Sequence, residues 1–111
     1  MEIITSESGS IPVATISGDI DGKTAPAAQA QLLGLVGKNP QLVLDMSGVG
    51  FMSSAGLRIM LLLYRQAAAK NGKVVLVGLS EEIKDTMSMT GFLNFFTLAA
   101  TVDEGVQLAG G

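Results

Sequence analysis

The sequence predicts a single α/β domain spanning residues 1–111, with a mixed sheet of four to five strands packed with about four helices. Three observations carry that reading. Two unbroken apolar runs, Leu42-Val43-Leu44 and Val74-Val75-Leu76-Val77, lie between turn residues, as interior strands covered on both faces do. Segments of helical period alternate with them, and the connections are long enough for helical crossovers. A chain of 111 residues with 48% apolar content suits one compact domain, able to bury roughly 60–70% of its unfolded surface without disulfides or metals.

The elements follow in chain order. Ile3 to Thr5 and Ile11 to Ser17 are β-prone pieces separated by the polar turn SESGS, a hairpin in which Pro12 suits an edge or strand start. Ala25, Ala28, Leu32, Leu35 and Val36 then recur at steps of three, four and seven, one face of a helix that ends near Gly37 and Pro40. Between the two interior strands a second helix runs from about Ser54 to Lys70, with Leu57, Met60, Leu61, Tyr64 and Ala68 on one face and Asn71-Gly72 as its stop. A third helix starts at Ser80 as N-cap and stops at Gly91, with Ile83 and Met87 inward. Phe95 to Ala99 reads as a last strand, and Asp103 as the cap of a short terminal helix. No internal repeat or linker divides the chain.

Composition excludes several functions. Without Cys or His there is no thiol nucleophile, imidazole base or usual zinc ligand, so a self-sufficient hydrolase is not expected. Net charge is −3, and the seven Lys and Arg are scattered, which gives no footprint for nucleic acid or anionic lipid. Mean hydropathy is high at +0.46, yet the cleanest apolar run, Ile59 to Tyr64, falls far short of the ~20 residues needed to span a bilayer. The N-terminus MEIITSESGS shows no basic segment followed by an apolar one, so the expectation is an intracellular, cytoplasmic protein without direct membrane contact.

Three constellations could carry chemistry. GDIDGKT, residues 18–24, sits between strand and helix like a phosphate-binding loop, and Leu42-Val43-Leu44-Asp45 mimics the magnesium-holding strand of such enzymes. The glycine spacing is one residue short, however, and Asp19 and Asp21 would crowd phosphate oxygens. The simpler reading is a tight turn, with glycines at positive φ and Asp21 or Thr24 capping the helix. Asp19, Asp21 and Asp45, all placed at loop ends after strands, could act as acid and base or hold magnesium; an acidic rim is the favoured reading, with no metal and no cofactor. The third is GFMSSAGLR, residues 50–58. Ser53 or Ser54 falls at a helix N-cap, which explains one serine but not two. As a nucleophile the stretch fails, because G-x-S-x-G is unmatched and no His exists. As a phosphorylation site it works, since free N–H groups and the positive dipole end welcome a phosphate.

These motifs resemble the STAS domains of bacterial anti-sigma-factor antagonists. The family signature is an apolar strand ending in Asp, a short loop, then Phe-Met-Asp-Ser-Ser/Thr-Gly-Leu opening a helix; this chain has LVLDMSGVGFMSSAGLRIM. Gly18-Asp19-Ile20-Asp21 matches the family's turn before its first helix, and Met89-Thr90-Gly91-Phe92 its helix closure near the C-terminus, so the likeness covers almost the whole chain. It implies that Ser54 is phosphorylated, with Ser53, standing where the family has Asp, as the alternative acceptor and Ala55 in place of the second hydroxyl residue. It implies a partner-binding set of Asp19, Asp21, Asp45, Ser53, Ser54, Ala55, Gly56 and Arg58. The partners would be an anti-sigma factor that is also a serine kinase, bound by the unphosphorylated protein, and a serine phosphatase that resets the cycle. A competing reading within the fold is a STAS subunit of a membrane transporter or lipid-trafficking complex, in which the serine is structural. Met87 and Met89, taken as exposed, would suit an adaptable protein surface in either case, although the helical stripe turns Met87 inward.

Overall fold

In the computed structural model, which describes residues 1–110, the chain runs β1 (Glu2–Ser8), β2 (Ile11–Ser17), α1 (Ala25–Lys38), β3 (Gln41–Gly48), α2 (Ser54–Ala69), β4 (Lys73–Val77), α3 (Glu81–Met89), a 3-10 turn (Phe92–Phe95), β5 (Thr97–Ala99) and α4 (Val102–Leu108). The strands form one sheet in sequence order, β1 antiparallel to β2 and the others parallel to their neighbours. This is the mixed sheet with four helices that the sequence predicts.

The pleat of β3 explains why its apolar run is unbroken. Leu42, Leu44 and Met46 enter the core shared with α1, α2 and α3, while Val43 joins Val75, Val77, Val106 and Ala109 in a smaller core under α4. Fully buried side chains such as Leu32, Leu44, Met60 and Leu63 each contribute about 1.5–3 kcal/mol through lost apolar exposure. At the end of α2, Asn71 takes φ 58, Gly72 N–H donates to Ala67 O at 2.7 Å and Asn71 N–H to Ala68 O at 3.0 Å, the paired bonds of a Schellman stop. A side chain at Gly72 would run into the Pro40 backbone. The stop therefore also sets how closely β4 follows β3.

Several boundaries differ from expectation. The hairpin is longer than predicted, because Ser8 pairs with Ile11 and only Gly9-Ser10 turn, with Gly9 at φ 63. Phe95 belongs to the 3-10 turn rather than the last strand, with its ring stacked on Tyr64 at 4.8 Å between centroids. The cap of α4 is Thr101, whose Oγ1 accepts from Glu104 N–H at 3.2 Å, and Asp103 lies in the first turn. The buried face of α2 is rotated: Ile59, Leu63 and Ala67 point inward with Leu57 and Met60, leaving Leu61 and Tyr64 half-buried and Ala68 exposed. From Leu57 to Tyr64 only Arg58 interrupts the apolar residues, so periodicity cannot choose the face and the sheet does. Met87 is fully buried and Met89 is 87% exposed, which corrects the surface role given to Met87.

Candidate functional site

Two chain segments meet where α2 begins. Gly18 N–H donates to Gly48 O at 3.0 Å, Ile20 N–H to Phe51 O at 3.0 Å, and Ser53 N–H to Ile20 O at 2.9 Å, with Ile20 and Met52 forming a parallel bridge. Ile20 is sealed inside while Asp19 is exposed and Asp21 half-exposed. Gly56 makes the approach possible, because a Cβ there would collide with the Met52 side chain and come within 3.2 Å of Ile20 O. The GDID turn and the double-serine loop thus form one surface.

The first of these segments is closed by hydrogen bonds. Asp21 Oδ1 accepts from Lys23 N–H at 2.9 Å and Thr24 N–H at 3.2 Å, while Thr24 Oγ1 accepts from Asp21 N–H at 3.0 Å. Thr24 Oγ1 also donates to Asp19 O at 3.0 Å. Asp21 and Thr24 thus bond reciprocally within the turn that leads into α1, although Thr24, its N-cap residue, makes no side-chain capping bond to the helix itself. Thr24 and then Lys23, donating backbone N–H groups to the charged form, hold the Asp21 carboxyl below its ordinary value. Of the two glycines, Gly18 alone takes positive φ, at 92°. Gly22 does not.

The start of α2 is left open. Ser53 is its N-cap residue, at φ −79 and ψ 179, but its side chain makes no capping bond, and its hydroxyl is buried without a partner. The capping role expected of the serine hydroxyls is thus unfilled. Ser54, the first helical residue, is exposed, and among the described residues the N–H groups of Ser54, Ala55 and Gly56 have no acceptor. Arg58 stands exposed one turn later, and the one salt bridge among the described residues is Lys84 to Glu81 at 3.5 Å.

Asp45 is not part of this surface. It lies within β3, on the face of Val43 and α4, because β3 continues beyond it to a Ser17–Gly48 pairing. Its Oδ1 accepts from Ser47 N–H at 3.1 Å and Ser47 Oγ at 2.7 Å. Among the described residues, Asp19, Asp21 and Asp45 do not gather as a metal-ligating group. Two features beside the site escape the sequence reading. Phe51, 52% exposed, directly precedes the Met-Ser-Ser loop, a position that could have flagged it. A groove of about 420 Å³ between α1 and α2 is lined by Pro26, Gln29, Leu33, Ala55 and Arg58; it arises from the helix crossing and has no local signature.

The fold and this helix start define an α/β domain that displays a hydroxyl without a base to activate it. Residues 2–105 match the STAS domain family, and the chain belongs to it. The chain is 32% identical over 88 residues, covering 78% of this chain and 76% of the relative, to the Bordetella bronchiseptica protein named "Putative anti-sigma factor antagonist BtrV". It is 27% identical over 92 residues, 83% and 84% of the two chains, to the anti-sigma-B factor antagonist of Bacillus subtilis. The crystal structure of an anti-sigma factor antagonist from Mycobacterium paratuberculosis superposes with a TM-score of 0.88 at 27% identity, covering 99% of this chain and 94% of that one. Among the described residues, no helix is long and apolar enough to cross a membrane.

Proposed function

We propose that this protein is an anti-sigma-factor antagonist working as a phosphorylation-controlled partner switch in the cytoplasm. Unphosphorylated, it binds an anti-sigma factor that is also a serine kinase; phosphate on Ser54 ends that binding, and a serine phosphatase restores it. The observation that carries the reading is the contrast within the serine pair. Ser54 is exposed at the first position of α2, whereas the Ser53 hydroxyl is buried. A kinase reaches the first and not the second. Asp19, Asp21, Ala55 and Arg58 form the partner surface in this proposal; Gly56, given to that set by the resemblance, is buried beneath it against Met52 and Ile20. Asp45, on the other face of the sheet, belongs to it only if the partner wraps the sheet's end.

The test is phosphate transfer from ATP by the candidate kinase encoded in the same genome, followed by intact mass and site mapping. Ser54→Ala abolishes the gain of one phosphate, and Ser53→Ala leaves most of it; the reverse pattern refutes the assignment. The protein alone turns over neither ATP nor GTP, consistent with its short glycine spacing and acidic turn. Turnover above a buffer blank that disappears in Lys23→Ala would restore the nucleotide-enzyme reading.

A further inference from the structure

We infer that Arg58 closes onto the phosphate of Ser54, so that the modified helix start is held as an ion pair within one turn of α2. The inference rests on Ser54 being the modified residue and adds how the modified state is built. Ser54 and Arg58 are four residues apart on one helix, both exposed, and residues at that spacing are surface neighbours. The order is the favourable one, acid before base along the helix, in line with the dipole. Arg58 has no competing carboxylate, since the sole salt bridge among the described residues lies on α3. Asp21 forms no ion pair with Arg58 among the described residues, its Oδ1 accepting the Lys23 and Thr24 amides. Asp19 and Lys23 are the other charges of that neighbouring turn, both exposed.

The chemistry suits the pair. A guanidinium offers a planar fork that two phosphate oxygens accept together, which a lysine cannot reproduce. Arg58 also lines the groove between α1 and α2 beside Ala55 and Gly22. In the unmodified protein its charge is therefore available at the partner surface. In the modified protein it is spent within the chain, and the summed charge of residues 54 and 58 passes from +1 to about −1. Phosphorylation thus removes a cation from the surface as well as adding an anion.

Full-length protein carrying phosphoserine installed at position 54 during synthesis tests this without kinase or partner. Phosphorus NMR follows the second ionisation of the phosphate, near 6 in a free phosphoserine, in otherwise unaltered protein, Arg58→Gln, Arg58→Lys and Arg65→Gln. The expected result is a value lower by about 0.15–0.4 pH unit in the otherwise unaltered protein than in Arg58→Gln. Arg58→Lys should recover part of the difference. Arg65→Gln, which removes a charge two turns further along α2, should leave it unchanged. Equal titration of the otherwise unaltered protein and Arg58→Gln, or an equal shift on removing Arg65, overturns the inference. Failure of the switch itself is read separately, as absence of transfer to Ser54 by the kinase.

Discussion

The two helices that begin side by side at this surface begin differently. The entry to α1 is closed: Asp21 and Thr24 satisfy each other's backbone donors, and Thr24 reaches back to Asp19 O. The entry to α2 is open, with a buried Ser53 hydroxyl that caps nothing and three first-turn amides without acceptors. Both starts are tied to the same strand-like bridge between Ile20 and Met52. One is completed by its own sequence; in the proposed modified state the other would gain from a phosphate the acceptors that Ser53 withholds. Under the proposed function, structural serine and threonine chemistry and regulatory chemistry lie side by side within one small patch.

The largest expected effect comes from the contact common to both starts. Gly56→Ala places a methyl group against Met52 and the Ile20 carbonyl, an overpacking that costs about 1–3 kcal/mol, or roughly 4–8 °C of thermal midpoint per kcal/mol. A midpoint within a degree of the unaltered protein would mean that the bridge yields freely and that the two starts are not coupled.

Capping variants sharpen the contrast. Thr24→Ala breaks the reciprocal bonding at the closed start and should lose about 0.5–2 kcal/mol by denaturant unfolding. Ser53→Ala, at the residue that formally occupies the N-cap of α2, should be neutral or stabilising by up to about 1 kcal/mol, because it removes a buried unpaired hydroxyl. Equal losses from both would show that Ser53 caps α2 after all.

The smallest effect is pH-dependent. The folded Asp21 carboxyl lies below its ordinary value of 3.8. Its stabilisation is therefore fully present above that value and is lost as pH falls through the lower folded value. Thermal midpoints of the unaltered protein and Asp21→Ala should differ at neutral pH and converge in acid. A constant gap down to the acid limit would assign the closed start to Thr24 alone.

How much of this was legible in the sequence depended on whether a signal was local. Leu42-Val43-Leu44 and Val74 to Val77 announced interior strands because burial on both faces leaves no alternation. Ser80 announced the cap of α3, where its Oγ accepts from Ile83 N–H at 3.2 Å. Asn71-Gly72 announced the stop of α2 because only a residue tolerant of positive φ can make that turn. The inward face of α2 was not legible, since Leu57, Ile59, Met60, Leu61, Leu62 and Leu63 leave no polar side to contrast with. Asp45 was misplaced because the length of β3 is set by a non-local pairing with Ser17. At the site, the residue types and spacing identified the double serine. Which hydroxyl is hidden follows from the bridge to Ile20, a contact between segments more than thirty residues apart in the chain.

The central claim is that phosphate at the open start changes the surface and leaves the fold alone. Its most direct test is one titration of the purified kinase partner against unmodified, Ser54-phosphorylated and Ser54→Asp protein, each with its thermal midpoint. Affinity should fall by about a hundredfold or more on phosphorylation and by less in Ser54→Asp, which adds a single charge, while the midpoint moves by no more than about 2 °C. A midpoint lowered by about 10 °C would show that the phosphate acts by unfolding the helix start. Unchanged affinity would show that Ser54 is structural, as in the transporter-subunit reading.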